Sequence, residues 1–216
     1  MKALGINGSP RKNWNTATLL QKALDGAASQ GAETNIFHLY ELNYKGCVSC
    51  FACKTKNGQS YGRCAQKDDL TAILKKVETV DAVILGAPIY FGTVTGEMKS
   101  FMERLIFPYN AYTDPPQTLC PRSIRTGFIY TMNLSEEMAG KRGYDKYFND
   151  NTMTLERIFG SSEALCCYDT WQFEDYATFI APRFDPVRKA KRRKEVFPED
   201  CDKAFAMGSR LVTKPA

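Results

Sequence analysis

The run Asp81-Ala82-Val83-Ile84-Leu85-Gly86-Ala87 constrains the fold more than any other part of this chain. It is apolar without alternation. A strand with one wet face alternates apolar and polar residues, whereas a strand covered on both faces does not. The run therefore predicts a central parallel strand with helices on both sides. The remaining pattern agrees, because apolar runs alternate with amphipathic stretches. Residues 2–7 read as a first strand, followed by the turn Gly8-Ser9-Pro10-Arg11-Lys12-Asn13-Trp14. A helix starting at Asn15 or Thr16 carries Leu20, Leu24 and Ala27 at helical spacing, with Gly31 as its stop.

A second strand is expected at 34–39, an irregular loop at 46–64 and a helix around 68–78. A turn Pro88-Ile89-Tyr90-Phe91-Gly92 precedes a helix with Met98, Phe101, Met102, Leu105 and Ile106 on one stripe. Further strands are expected at 123–132 and 165–170, with partial helix between them. Polar helix follows over 184–212, broken at Pro198. The fold expected is α/β, a doubly wound three-layer sandwich around five parallel strands, in a single domain over residues 1–216. In such sheets ligands sit beyond the carboxyl ends of the strands. The loops to examine are 8–16, 88–95 and 131–135.

Composition narrows the function classes. No apolar run approaches the ~20 residues of a membrane span, and the N-terminal apolar stretch is too short for a signal peptide. The expectation is a cytoplasmic protein with no membrane partner. The net charge is +5, but residues 183–194 hold seven bases against one acid, so the rest is nearly neutral. A broadly basic nucleic-acid-binding domain has a different balance, and no nucleic-acid partner is expected. The basic run reads most simply as a solvated helix face. A docking surface for an acidic redox partner or for the extra phosphate of NADPH is the rival reading. His38 is the only histidine, so any Ser-His or Cys-His nucleophile would have to use it. It reads as structural. No G-x-S-x-G elbow supports a hydrolase.

The first loop joins a strand to a helix N-terminus, where unpaired N–H groups favour an anion. Ser9 and Thr16 add hydroxyls and Arg11 a guanidinium fork. Neither G-x-x-x-x-G-K-[ST] nor G-x-G-x-x-G is present, which points to a monophosphate. Asn7-Gly8-Ser9-Pro10-Arg11 with Asn15-Thr16-Ala17 resembles the N-terminal signature of the flavodoxin-like NAD(P)H-dependent FMN reductases. Gly86-Ala87-Pro88-Ile89-Tyr90-Phe91-Gly92 resembles that family's second flavin loop, and Gly96-Glu97-Met98-Lys99 its usual sequel.

The resemblance implies a flavodoxin-like sheet of order 2-1-3-4-5 that binds FMN. It would place Ser9, Arg11, Asn15, Thr16 and Ala17 at the phosphate and Pro88, Ile89, Tyr90, Phe91 and Gly92 at the isoalloxazine. Topology adds Thr131, Met132 and Asn133. NAD(P)H would be the electron donor and a quinone, another small molecule or a protein the acceptor. Relatives suggest a homodimer or homotetramer. No side chain need act as acid or base, so no catalytic residue is assigned.

Cys47-x2-Cys50-x2-Cys53-x10-Cys64 lies in the 46–64 loop. Three cysteines three apart can turn their sulfurs to one centre, as in bacterial ferredoxins. The segment also resembles the iron–sulfur flavoprotein branch of the same family. That branch uses a [4Fe–4S] cluster with FMN, although here the last gap is longer than its usual spacing. Reduced thiols packed in a loop, a four-cysteine zinc site and a redox disulfide remain alternatives. Cys120, Cys166, Cys167 and Cys201 read as structural. Three functions follow: a simple FMN-dependent reductase, an iron–sulfur flavoprotein electron carrier, and a non-enzymatic interaction module that reuses the fold.

Overall fold

The structure, a computed structural model, describes residues 1–213. The last three residues of the expected 1–216 domain lie outside the described residues. Five long parallel strands form the sheet: β1 (Lys2–Asn7), β2 (Glu33–His38), β3 (Ala82–Tyr90), β5 (Ile124–Thr131) and β6 (Gly160–Cys167). A sixth strand, β4 (Thr93–Val94), pairs antiparallel with the end of β3. The spatial order is 2-1-3-5-6, which is the expected order once β4 takes its place in the numbering.

Successive residues of the inner strands supply opposite layers. Leu4, Ile6, Val83 and Leu85 pack with α2 (Leu70–Val77), α3 (Gly96–Ile106) and α5 (Tyr144–Phe159). Ala3, Ala82 and Ile84 pack with α1 (Asn15–Ser29) and α7 (Phe197–Val212). This two-sided burial is what the unalternating run 81–87 requires. α4 (Glu136–Lys141) and α6 (Pro186–Glu195) complete the helices. No helix of the described residues is long and apolar enough to cross a membrane.

The α1–α7 contact is unusually close. A β-carbon at Gly26 would lie 1.9 Å from Phe205 O, and one at Gly208 only 1.7 Å from Ala23 O. The two glycines let the backbones touch, and Ser209 Oγ donates to Gly26 O at 3.0 Å.

Two local readings are corrected. The segment from Pro88 is not a turn: β3 runs to Tyr90, and Phe91-Gly92 alone turns the chain into β4, both at positive φ. Pro88 is tolerated in the strand because β1 ends opposite Gly86, leaving Pro88 a neighbour on one side only. The last strand starts at Gly160, five residues before the expected 165, and ends at Cys167. The polar helix over 184–212 is interrupted beside Pro198, as expected: α6 ends at Glu195 and α7 begins at Phe197. Pro198 itself does not interrupt α7. It lies in the first turn of α7, where its missing N–H costs nothing.

Candidate functional site

The carboxyl ends of β1, β3, β5 and β6 meet at one cleft. Gly8 N–H donates to Gly86 O at 2.8 Å. Thr95, which caps α3 by accepting from Met98 N–H, donates its own hydroxyl to Gly8 O at 2.7 Å. Ser9 N–H donates to Asn7 Oδ1 at 3.0 Å, and Ser9 Oγ accepts from Arg11 N–H at 3.1 Å. The loop is thus held in shape by its own polar groups before α1 begins.

α1 starts without a side-chain cap and without an acid in its first turn. Its opening residues Asn15, Thr16 and Ala17 are buried. A buried, uncapped helix start is rare, because its orphan N–H groups need partners. It suits an anion, which also complements the helix dipole. Thr16 Oγ1 and Thr131 Oγ1 share a hydrogen bond of 2.7 Å, which ties the first loop to the end of β5.

The cleft is open to solvent. Ser9, Arg11, Asn15 and Thr16 line it, with Pro88, Ile89 and Tyr90 and with Thr131, Met132 and Asn133. Three of the expected residues do not. Ala17 is buried behind the helix start. Phe91 is fully exposed on the hairpin turn, and Gly92 sits beside Tyr144.

Trp14, Thr170, Trp171 and Gln172 line the cleft and were not anticipated. Three donors of the first loop meet the backbone of this segment. Arg11 Nη1 donates to Gln172 O at 2.5 Å, Trp14 Nε1 to Trp171 O at 3.0 Å and Asn15 Nδ2 to Trp171 O at 2.7 Å. Trp14 lies in the 8–16 loop already singled out, but its type suggested no role. Thr170 was hidden by the expected strand end. Trp171 and Gln172 lie in the loop after the last strand, which the rule that sites lie beyond strand ends covers but which was not among the loops singled out.

The basic run is a solvated face only in part: Arg183, Lys191 and Lys194 are exposed, whereas other bases of the run turn inward. Lys189 is completely buried and pairs with Asp169 Oδ1 at 2.5 Å. It also donates to Asn133 O at 3.1 Å, to Thr170 O at 3.3 Å and to Asn133 Oδ1. Arg188 bonds both Asp169 oxygens, at 2.6 and 3.1 Å. Arg193 Nη1 donates to Asn15 Oδ1 at 2.8 Å, and Arg192 pairs with Asp200 at 2.5 Å. These four bases, at i, i+1, i+4 and i+5, share one side of α6. Arg188, Lys189 and Arg193 brace the cleft loops, and Arg192 ties α6 to α7. Burial pushes the Lys189 ammonium down from its ordinary pKa, with Asp169 opposing.

The cysteine segment forms a second site against α3. Cys47, Cys50, Cys53 and Cys64 all line one small pocket. Ser49 and Phe51, between the first three cysteines, both have positive φ, 53° and 55°. Such strain in residues with a β-carbon clusters at ligand clamps; here it curls the segment around the cavity. All eight cysteines are free. Burial pushes the Cys53 thiol up, and Cys47 and Cys50 add to that. Among the described residues no three His, Cys, Asp or Glu close on a single metal ion.

Comparison with known proteins identifies the family. The sequence model for NADPH-dependent FMN reductases matches residues 1–117. The chain belongs to that family. Among curated relatives, an iron–sulfur flavoprotein of Methanocaldococcus jannaschii is 40% identical over 104 residues, covering 48% of this chain and 51% of that protein. An iron–sulfur flavoprotein of Clostridioides difficile is 35% identical over 164 residues, covering 69% of each. The chain spans about half the length of most of the curated relatives it matches. A solved NAD(P)H:quinone oxidoreductase from Methanothermobacter marburgensis shares the fold, with a TM-score of 0.70 at 14% identity over 98% of both chains.

In this FMN reductase-family chain the lone histidine supports the first loop. Asn7 Oδ1 is taken by Ser9 N–H, so Asn7 Nδ2 points at His38 Nδ1, 2.9 Å away. Nδ1 must therefore accept, and the neutral ring carries its proton on Nε2. Burial first, then the charge of Lys12, hold the imidazole below its ordinary value of 6.5. Protonation would set two donors against each other. The folded state binds fewer protons than the unfolded one below about pH 6.5, so stability falls as pH drops through that value toward the lowered pKa. Thermal unfolding between pH 7.5 and 5.5 should show this fall, and His38→Gln, which accepts at any pH, should flatten it. Parallel profiles would refute the assignment.

Proposed function

We propose that this chain binds FMN in the cleft and passes electrons from NAD(P)H to a quinone, another small acceptor or a protein. The observation that carries the reading is the buried, uncapped start of α1 facing a cleft where four strand ends meet. Ser9, Thr16 and the N–H groups around Asn15 and Ala17 would hold the phosphate, with Arg11 exchanging Gln172 O for a phosphate oxygen. Pro88, Ile89 and Tyr90 would flank the isoalloxazine, and Thr131, Met132 and Asn133 would border it from β5. When bound, FMN supplies hydride acceptance from reduced nicotinamide and electron release to the acceptor.

Flavin fluorescence titration tests the reading. Arg11→Ala should weaken FMN binding by about 1.5–3 kcal/mol, roughly 10- to 150-fold, the worth of a charged hydrogen bond. A wild-type chain that takes up no FMN would overturn the proposal, and unchanged affinity in the variant would overturn the role of Arg11.

A second reading is favoured by one observation, the cavity that all four loop cysteines line. In it, Cys47, Cys50, Cys53 and Cys64 hold a [4Fe–4S] cluster that exchanges electrons with FMN. The names of the curated relatives support it. Iron and acid-labile sulfide analysis of anaerobically purified protein decides between a cluster and plain thiols. Eight free thiols suit a reducing, cytoplasmic setting, and a homo-oligomer goes with either reading.

A further inference from the structure

Arg104 lies on α3 and is 1% exposed, the largest side chain buried so completely in the protein. Its guanidinium reaches out of the core toward the cysteine segment. Nε donates to Cys64 Sγ at 3.3 Å. Nη1 donates to Lys45 O at 3.1 Å and to Asp68 Oδ2, and Nη2 to Gln66 O at 3.4 Å. Lys45 lies two residues before Cys47, and Gln66 two residues after Cys64. One planar group therefore pins both ends of the cysteine segment to the same turn of helix. This offsets the ten-residue gap before Cys64, which on its own would let that residue wander.

A buried cation is costly, and a neutral side chain would brace the loop with less penalty. The feature that a neutral brace lacks is a charge-assisted donor aimed at a ligand sulfur. Hydrogen bonds to sulfur and nearby charge are the protein's means of setting a cluster's potential.

We infer that Arg104 is a positioning residue for Cys64 and a determinant of the reduction potential of the group held by the four cysteines. The inference rests on the iron–sulfur reading above. Reduction adds one electron to the cluster, moves no atom and makes the ligand set more negative by one charge. A guanidinium N–H on Cys64 Sγ favours the more negative state, so it raises the potential. Asp68 partly neutralises Arg104 and restrains that effect.

The test is a redox titration with dithionite, followed by electron paramagnetic resonance, on full-length protein reconstituted with iron and sulfide. Arg104→Lys keeps the charge but loses the fork and the bond to Sγ. It should shift the midpoint to a more negative potential at unchanged iron content. Asp68→Asn keeps Oδ1 as acceptor for Leu70 N–H and removes the counter-charge. It should shift the midpoint the other way. Opposite shifts support the inference, because a loosened loop does not produce them. If Arg104→Lys fails to retain the cluster, the upward shift in Asp68→Asn supports the inference alone, and wild-type behaviour there overturns it. Wild-type midpoints in both variants also overturn it. A wild-type chain that holds no iron refutes the iron–sulfur reading itself, which the iron analysis reports separately.

Discussion

Gly208→Val lowers the melting temperature by roughly 6–12 °C. A β-carbon at 208 would stand 1.7 Å from Ala23 O, and that atom belongs to a helix backbone. No rotamer change relieves the overlap, so α7 must move away from α1. The layer built from Leu19, Leu20, Ala23, Met207 and Leu211 would open with it. Overpacking of this kind costs about 3 kcal/mol. A chain of this size shifts by about 2–4 °C per kcal/mol. Calorimetry of the variant beside Gly96→Ala provides the control, since a β-carbon at Gly96 meets nothing within 4 Å. Equal melting temperatures for the two variants would mean that the helix contact is looser than described.

Lys189→Met should cost about 3 kcal/mol, the lower end for removing one partner of a buried ion pair. The lower end applies because Arg188 still holds Asp169. The larger consequence is local. Lys189 joins Asn133, on the loop after β5, to Asp169 and Thr170, on the loop after β6. Without it both loops lose their common anchor. Hydrogen exchange should rise at 131–133 and 169–172 while β1 and β3 stay protected, and FMN affinity should fall severalfold. Lost stability with unchanged exchange at those loops would assign Lys189 to the core alone.

The readable parts of this fold are those written in local pattern. The run 81–87 announces a doubly covered strand, and Asn15 after a Gly/Pro turn marks the helix start where it stands. Ten of the thirteen residues expected at the cleft line it, because they lie at or beyond the carboxyl ends of β1, β3 and β5. The unread parts depend on partners distant in sequence. Little that is local tells Lys189 from Lys191, each set between Ala190 and an arginine; Asp169, Asn133 and Thr170 pull one of them inward. Phe91 misled in the opposite way. Its aromatic ring suggested a flavin wall, but the two-residue turn puts it at positive φ and fully into solvent.

The clasp of Arg11, Trp14 and Asn15 on the carbonyls of Trp171 and Gln172 bears on how a ligand arrives. An anion reaching those side chains finds hands already full. Bonds are traded rather than added, so the heat released is small. The rate of capture then depends on how often the 171–172 segment lets go. Residues 169–172 fall outside the stretch matched by the family model. If FMN is captured here as proposed, its entry is paced by a segment outside the stretch that the family model matches, while Arg11, Trp14 and Asn15 lie within that stretch.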